Sequence, residues 1–140
     1  MAHDTPDDWL RGLVERHKVC WDAFPEWSQI DRERRQTGIV VELYGTHDQL
    51  GVVPTAGCRH CFPVIQDLLA IADYIADAAR QELVSIRAHS GIEYANERGA
   101  RPDIVVALTF SLPDESGSQA PPTEVRGRLE ALGLSARSWR

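Results

Sequence analysis

The sequence predicts an α+β domain of two layers, in which a mainly antiparallel four-stranded sheet is packed by helices in the order α-β-β-α-β-β-α. Strand-like segments follow each other in pairs without a helix between them, which favours antiparallel pairing. Segments with apolar residues at three- and four-residue spacing lie before, between and after those pairs. The length of 140 residues with 43% hydrophobic side chains suits one domain around one core.

The first part of the chain predicts a helix followed by a β-hairpin. Thr5 offers an N-cap hydroxyl and Pro6 suits the first helical position. A strand is expected at about residues 18–24, and the apolar run 38–45 is the strongest strand in the sequence. The charged segment 31–36 between them predicts the hairpin turn.

The middle of the chain carries the strongest helical pattern, which begins at Pro63. Its apolar positions are Ile65, Leu68, Leu69, Ala72, Ile75, Ala76 and Ala79. Because they recur at three- and four-residue steps, they form one stripe that we expect to face the core. Asp73 and Asp77 lie on the polar side, where they are suited to acid and base chemistry only if an apolar cover is present.

The second half of the chain predicts two more strands and a last helix. Residues 83–89 largely alternate in polarity, and residues 104–110 form a continuous apolar run. The last helix is expected to be capped by Thr123 and to stop near Gly133.

The whole chain, residues 1–140, is expected to form a single domain. Residues 112–123 are rich in Pro, Ser, Gly and acidic side chains, so we expect a flexible loop there. Residues 134–140 are expected to be a tail.

The charge balance argues against two kinds of partner. The chain has 15 Lys and Arg against 21 Asp and Glu, a net charge of −6, whereas nucleic acids and anionic membranes attract clustered basic residues. We therefore expect neither partner. The acidic first residues lack a secretion signal, no apolar run is long enough to cross a bilayer, and an odd count of 3 cysteines suits a reducing compartment, so a cytoplasmic protein is expected.

Cys58 and Cys61 have the two-residue spacing at which a pair of thiolates binds one metal ion. They come just before the main helix, whose N-terminal dipole stabilises thiolate. Two further ligands are needed. If the hairpin turn is centred between residues 33 and 34, Cys20 lies directly opposite His47, and Phe24 lies opposite Leu43, on the face that the main helix covers.

This arrangement predicts a structural zinc site formed by Cys20, His47, Cys58 and Cys61. If Cys20 turns away, a water molecule takes the open position and a zinc-dependent hydrolase becomes the alternative. His60 is the other candidate ligand, although it adjoins Cys61. His3 and His17 are not expected to bind metal. Unpaired cysteines are also often small buried hydrophobes, in which case no site forms.

The segment Cys58-Arg59-His60-Cys61 at the head of a helix resembles the redox motif of the thioredoxin superfamily. The resemblance implies thiol–disulfide exchange by a low-pKa Cys58, and Pro102 is similar in placement to the proline that lies beside the dithiol in that superfamily. No Gly-rich phosphate loop, dinucleotide fingerprint, His-Glu-x-x-His pair or Gly-x-Ser-x-Gly elbow occurs in the chain. The sequence thus favours a binding or assembly role with zinc and leaves a thiol oxidoreductase as the alternative.

Two further surfaces are candidates for binding. Trp21, Trp27 and Tyr44 are expected to share the sheet face away from the helices, which predicts a protein partner or a second copy of the chain if that face is exposed. Ionisable residues between 87 and 101 gather in a long connection, which is most simply a solvated loop.

Overall fold

The structure is a computed structural model that describes residues 8–31, 36–46, 61–90, 104–113 and 121–136. The helices in these ranges are α1 (Asp8–His17), α2 (Cys61–Ala76), which continues into a 3-10 turn at Asp77–Ala79, and α3 (Thr123–Ala131). The strands are β1 (Cys20–Asp31), β2 (Gln36–Gly45), β3 (Leu83–Ser90), β4 (Ile104–Pro113) and β5 (Ser135–Ala136). The predicted first cap at Thr5 and Pro6 lies outside the described residues.

The strands form one mixed sheet in the order β3-β4-β2-β1-β5. The first three pairings are antiparallel, and β5 pairs parallel with β1. The α+β class is confirmed, but the predicted four-stranded antiparallel sheet is wrong in detail because it lacks β5. A two-residue strand has no alternation that a sequence pattern reveals. Both β2 and β3 run antiparallel to β4, so α2 connects two parallel strands with β4 inserted between them.

The helices in the described ranges and one face of the sheet share one core. Its fully buried members include Leu68, Ile71 and Ile75 of α2 and Leu108 and Phe110 of β4. The predicted apolar stripe of α2 is wrong at Leu69, which is 37% exposed. Leu68 and Ile71, on either side of it in the chain, are fully buried. Apolar residues occur nearly all round this helix, so periodicity alone does not choose which of them faces the sheet. None of the helices in these ranges is long and apolar enough to span a membrane.

The end of β2 approaches α2 closely at Gly45. A Cβ atom on Gly45 would lie 3.0 Å from Cδ1 of the fully buried Leu68. A larger residue there would require the Leu68 side chain to shift by a few tenths of an ångström within a packed core. Gly45 therefore allows Leu68 to pack closely against the end of β2.

The last helix ends in a Schellman motif that turns the chain back to the sheet. Gly133 has φ of 76°, and its N–H donates to the carbonyl of Glu130 at 2.9 Å. The N–H of Leu134 donates to the carbonyl of Leu129 at 3.1 Å, and both leucines are buried. The predicted stop near Gly133 is confirmed. The predicted tail is corrected at its start, because Leu134 is buried and residues 135–136 pair with β1.

The first helix ends in the same motif without a glycine. Lys18 has φ of 51°, and its N–H donates to the carbonyl of Glu15 at 3.3 Å. The N–H of Val19 donates to the carbonyl of Val14 at 2.9 Å, and both valines are buried. Non-glycine residues adopt this left-handed conformation at a cost, so surrounding contacts must hold Lys18 there.

Candidate functional site

The hairpin of β1 and β2 decides where Cys20 lies. Near the turn, Asp31 pairs with Gln36, which agrees with the predicted register. The next pair is Glu26 with Gly38. From the first pair to the second there are five residues along β1 but only two along β2, so the register shifts by three residues. Cys20 consequently lies opposite Tyr44, and the predicted position opposite His47 is wrong. An odd shift also changes which residues share a face, because side chains alternate along a strand.

The shifted register divides β1 between the two faces of the sheet. Trp21 pairs with Leu43 of the core and packs against that core, which is on the helix side. Cys20 and Phe24 alternate with Trp21, so they lie on the other face. Phe24 pairs with Val40, and its predicted position opposite Leu43 is wrong.

The predicted aromatic face does not form as expected. Trp21 packs on the helix side, whereas Tyr44 pairs with Cys20 on the opposite face and is 2% exposed. The side chain of Trp27 lies outside the described residues. The register shift in β1 is the reason, because it moves Trp21 and Tyr44 to opposite sides of the sheet.

The other predicted zinc ligands are at or beyond the boundary of the described chain. Cys61 is the first residue of α2, and its side chain is not described. His47, Cys58 and the alternative ligand His60 lie outside the described residues, as does His3. Within the described ranges, no three His, Cys, Asp or Glu side chains are grouped so that they could hold a metal ion. The half-buried Cys20 is the predicted ligand whose side chain is described.

A buried histidine that was not predicted to be functional joins three parts of the fold. His17, the last residue of α1, is 2% exposed. Its Nε2 lies 2.8 Å from Oδ2 of Asp67 on α2, and its Nδ1 lies 3.2 Å from the backbone carbonyl oxygen of Thr46 after β2. The N–H and hydroxyl of Thr46 both donate to the carbonyl of His17, at 3.1 Å and 3.2 Å. We call this arrangement of His17, Thr46 and Asp67 the His17 clamp.

The partners of the His17 ring determine its hydrogens. A carbonyl oxygen only accepts, so Nδ1 must carry the proton that it donates to Thr46. Nε2 lies 2.8 Å from Oδ2 of the Asp67 carboxyl, within hydrogen-bond distance. Both nitrogens are thus engaged inside the protein. A side chain in this state holds elements together and has no free nitrogen for a substrate.

The helical periodicity of α1 indicates that His17 is buried. His17 continues the stripe of Leu10, Leu13 and Val14 at three- and four-residue steps, so it lies on the buried side of α1. Nothing local predicts its partners, because Thr46 and Asp67 are distant in the chain.

The second buried polar residue, Glu42, lies on the opposite face of the sheet. It is 3% exposed, and its Oε1 accepts a hydrogen bond from the Tyr44 hydroxyl at 2.9 Å. Asp22 lies directly opposite Glu42, and Cys20 lies opposite Tyr44. Two carboxyls, a phenol and a thiol therefore occupy neighbouring positions on this face. Glu42 interrupts the apolar run 38–45, and a lone acid in such a run is the sequence signal for a buried carboxyl.

Asp73 and Asp77 belong to surface ion pairs. Arg80 donates to Oδ1 of Asp73 at 2.7 Å and lies 3.8 Å from Asp77. Arg128 donates to the backbone carbonyl of Tyr74 at 2.7 Å and covers its ring at 4.7 Å. The two contacts of Arg128 with Tyr74 dock α3 onto the end of α2. Because the carboxyls of Asp73 and Asp77 are largely exposed, their pairing contributes little to stability, and no described residue supplies the apolar cover that acid and base chemistry would need.

Comparison of the chain with models of protein families, with curated proteins and with solved structures finds no significant match. The candidate function therefore rests on the residues of this chain alone.

Proposed function

We propose that the protein is a small zinc-binding domain with a binding or assembly role, in which a structural zinc ion joins the segment after β2 to the head of α2. Cys58, Cys61 and His47 are the ligands in this proposal. Thiolate and imidazole are the donors that zinc prefers, and a pair of cysteines at this spacing is a common half of such a site. The observation that carries the proposal is the His17 clamp.

The His17 clamp supports the proposal because it ties together the two chain ends that flank the candidate ligands. Thr46 directly precedes His47, and Asp67 lies on the helix that begins at Cys61. Holding both ends close reduces the entropy that the intervening segment loses when its ligands meet at one ion.

Cys20 is no longer the best fourth ligand. It lies opposite Tyr44 on the sheet face away from α2, so the proposal gives the fourth position to His60 or to a water molecule. A water at that position leaves the metal open and makes a zinc-dependent hydrolase the alternative within the same site.

The proposed setting is the cytoplasm. Zinc thiolates persist in a reducing compartment, and the net charge of −6 disfavours nucleic acids and anionic membranes as partners. The proposed partner is therefore another protein or a second copy of this chain.

The three cysteines allow a matched test of the metal site. Native mass spectrometry and metal analysis of the purified full chain are expected to show one zinc ion per chain. Cys58→Ser and Cys61→Ser are each expected to lose it, and Cys20→Ser is the control that keeps it, because each serine removes one thiolate. Circular dichroism checks that all three variants fold. Zinc-free wild-type protein, or loss of zinc in Cys20→Ser alone, would contradict the proposal.

Cobalt substitution then counts the ligands. A thiolate-to-cobalt charge-transfer band with an intensity typical of two thiolates is expected, whereas three thiolates would return Cys20 to the site. If Cys20→Ser and His60→Ala both leave the cobalt spectrum unchanged, water is the fourth ligand and the hydrolase alternative moves ahead.

The thiol oxidoreductase remains a second candidate because Cys61 is the first residue of α2, a helix of 16 residues whose positive end stabilises a thiolate. The oxidoreductase hypothesis predicts that the purified protein contains no zinc and that mild oxidation lowers its mass by two hydrogens, because a disulfide forms. It also predicts that Cys58 reacts with an alkylating agent near neutral pH much faster than Cys61.

A further inference from the structure

The end of β2 and the first half of α2 meet at two adjacent contacts. Gly45 packs against Leu68, since a Cβ atom on Gly45 would lie 3.0 Å from Cδ1 of Leu68. The carbonyl oxygen of Thr46 lies 3.2 Å from Nδ1 of His17, and Oδ2 of Asp67 lies 2.8 Å from Nε2 of the same ring. The chain thus leaves the sheet at Thr46 and has returned to the same place by Asp67.

The first helix is required for this closure. His17 is the last residue of α1 and is 2% exposed, and the core packing of Leu10 and Val14 holds the same helix. Besides its ring contacts, His17 accepts hydrogen bonds at its carbonyl from both the N–H and the hydroxyl of Thr46, at 3.1 Å and 3.2 Å. One imidazole ring contacts Thr46 and Asp67 together only when α1 is docked, so docking and closure are one event.

We infer that the docking of α1 regulates the zinc affinity of the proposed site through His17. The inference rests on the proposed function, because it concerns the same ligands, His47, Cys58 and Cys61. Without the contacts of His17 the two ends of the ligand-bearing segment are free to separate, and zinc binding then restrains a looser chain. Linkage is reciprocal, so bound zinc also favours the docked position of α1. His17 is therefore a positioning residue.

The backbone next to His17 opposes the closed arrangement. Lys18 has φ of 51°, a left-handed conformation that is costly for a residue with a Cβ atom. The contacts of His17 favour closure, as does the hydrogen bond from the N–H of Val19 to the carbonyl of Val14 at 2.9 Å. A ligand shifts an equilibrium most readily when such opposing contributions are balanced.

Zinc dissociation constants of the full chain test the inference, measured at one pH by competition with a chromophoric chelator. His17→Leu removes both ring contacts and is expected to raise the dissociation constant about tenfold. The amide nitrogen of an asparagine reaches the position of Nδ1, and that of a glutamine reaches the position of Nε2. His17→Asn and His17→Gln therefore each keep one contact and are expected to restore part of the affinity, which a loss of packing alone would not produce.

Val125→Ala is the matched control for a general loss of stability. Val125 is fully buried in the core near the start of α3, a helix that meets α2 through the contacts of Arg128 with Tyr74, seven residues along α2 from Asp67. A cavity there lowers the stability and leaves the contacts of His17 in place. Its zinc dissociation constant is expected to stay within about twofold of the wild-type value, because distant sites act independently. A loss of affinity as large as that of His17→Leu would overturn the inference.

Hydrogen exchange of the wild-type chain tests the reciprocal effect and needs no folded variant. Removal of zinc by a chelator is expected to speed exchange of the amides of Thr46 and Val19, which donate to the carbonyls of His17 and Val14. The acceleration is expected to exceed that of Leu132 and Leu134, whose amides donate to carbonyls of α3. An equal change at all four amides would contradict the coupling of zinc to α1.

The outcomes separate this inference from the proposed function. A wild-type chain that binds no zinc overturns the proposed function and the inference with it. A wild-type chain that binds zinc, with His17 variants that bind it equally tightly, overturns the inference alone.

Discussion

The two faces of the sheet bury polar side chains in different ways. On the helix side, His17 lies at the rim of an apolar core, and its partners Thr46 and Asp67 come from two other parts of the fold. On the opposite side, Glu42 lies within β2, and Tyr44, the partner described above, is two residues along the same strand. The hydrogen bonds of His17 join elements that are distant in the chain, whereas the bond described between Tyr44 and Glu42 joins two residues of one strand. Substitutions on the two faces should therefore differ in kind as well as in size.

The largest expected effect is the loss of packing on the helix side. Leu68→Ala removes a fully buried side chain that contacts the end of β2, so the free energy of unfolding is expected to fall by about 2–5 kcal/mol. Chemical denaturation measures it. Leu69→Ala is the control on the same helix, and it should cost less than about 1 kcal/mol because Leu69 is partly exposed. Equal losses for the two variants would show that α2 is rotated from the orientation described.

The His17 clamp gives the next effect. His17→Leu replaces the imidazole by an apolar side chain of similar volume. The carboxyl of Asp67 and the carbonyl of Thr46 then lose the ring nitrogens as hydrogen-bond partners. A loss of about 1–3 kcal/mol in the free energy of unfolding is expected. Asp67→Asn is the milder comparison, because its amide can donate to a neutral ring. If hydrogen exchange at Thr46 is unaffected in His17→Leu, the clamp does not hold the end of β2.

The pair on the opposite face is expected to give a smaller and more local effect. Tyr44→Phe removes one donor from the buried carboxyl of Glu42, which is expected to cost about 1–2 kcal/mol. A double-mutant cycle with Glu42→Gln measures how strongly the two side chains interact. A coupling energy near zero would mean that the bond between Tyr44 and Glu42 contributes nothing. Amides of α1 and α2 should keep their protection in both variants, in contrast to His17→Leu.

The smallest expected effect is a gain in stability beside the clamp. Lys18→Gly replaces a strained residue at φ of 51° by one that adopts this conformation freely, so the melting temperature should rise by an amount that corresponds to about 1 kcal/mol or less. Gly133→Ala at the matching cap of α3 should instead lower stability by a similar amount. A destabilising Lys18→Gly would show that the lysine side chain contributes more than its backbone strain costs.

Several features of the protein could be predicted from the sequence because they depend on local patterns. The helical period from Pro63 predicts α2, which begins two residues earlier at Cys61. The apolar run 38–45 predicts β2, and Gly133 predicts the end of α3. The spacing of Cys58 and Cys61 likewise defines half of a candidate metal site. Each of these signals is contained in a short stretch of chain, so no knowledge of distant residues is needed.

Only the tertiary structure decided which of these residues meet. The three-residue register shift in β1 turned Cys20 away from the helix side and separated Trp21 from Tyr44. The first strand was predicted over residues 18–24, but β1 runs from Cys20 to Asp31, and the shift lies in the part that was not predicted. An irregularity between Glu26 and Asp31 has no local pattern, and an odd shift exchanges the two faces. The hydrogen-bond partners of His17 could not be predicted from the sequence either. A hydrogen bond between residues far apart in the chain depends on how α1 and α2 pack on the sheet, and local periodicity carries no information on that packing.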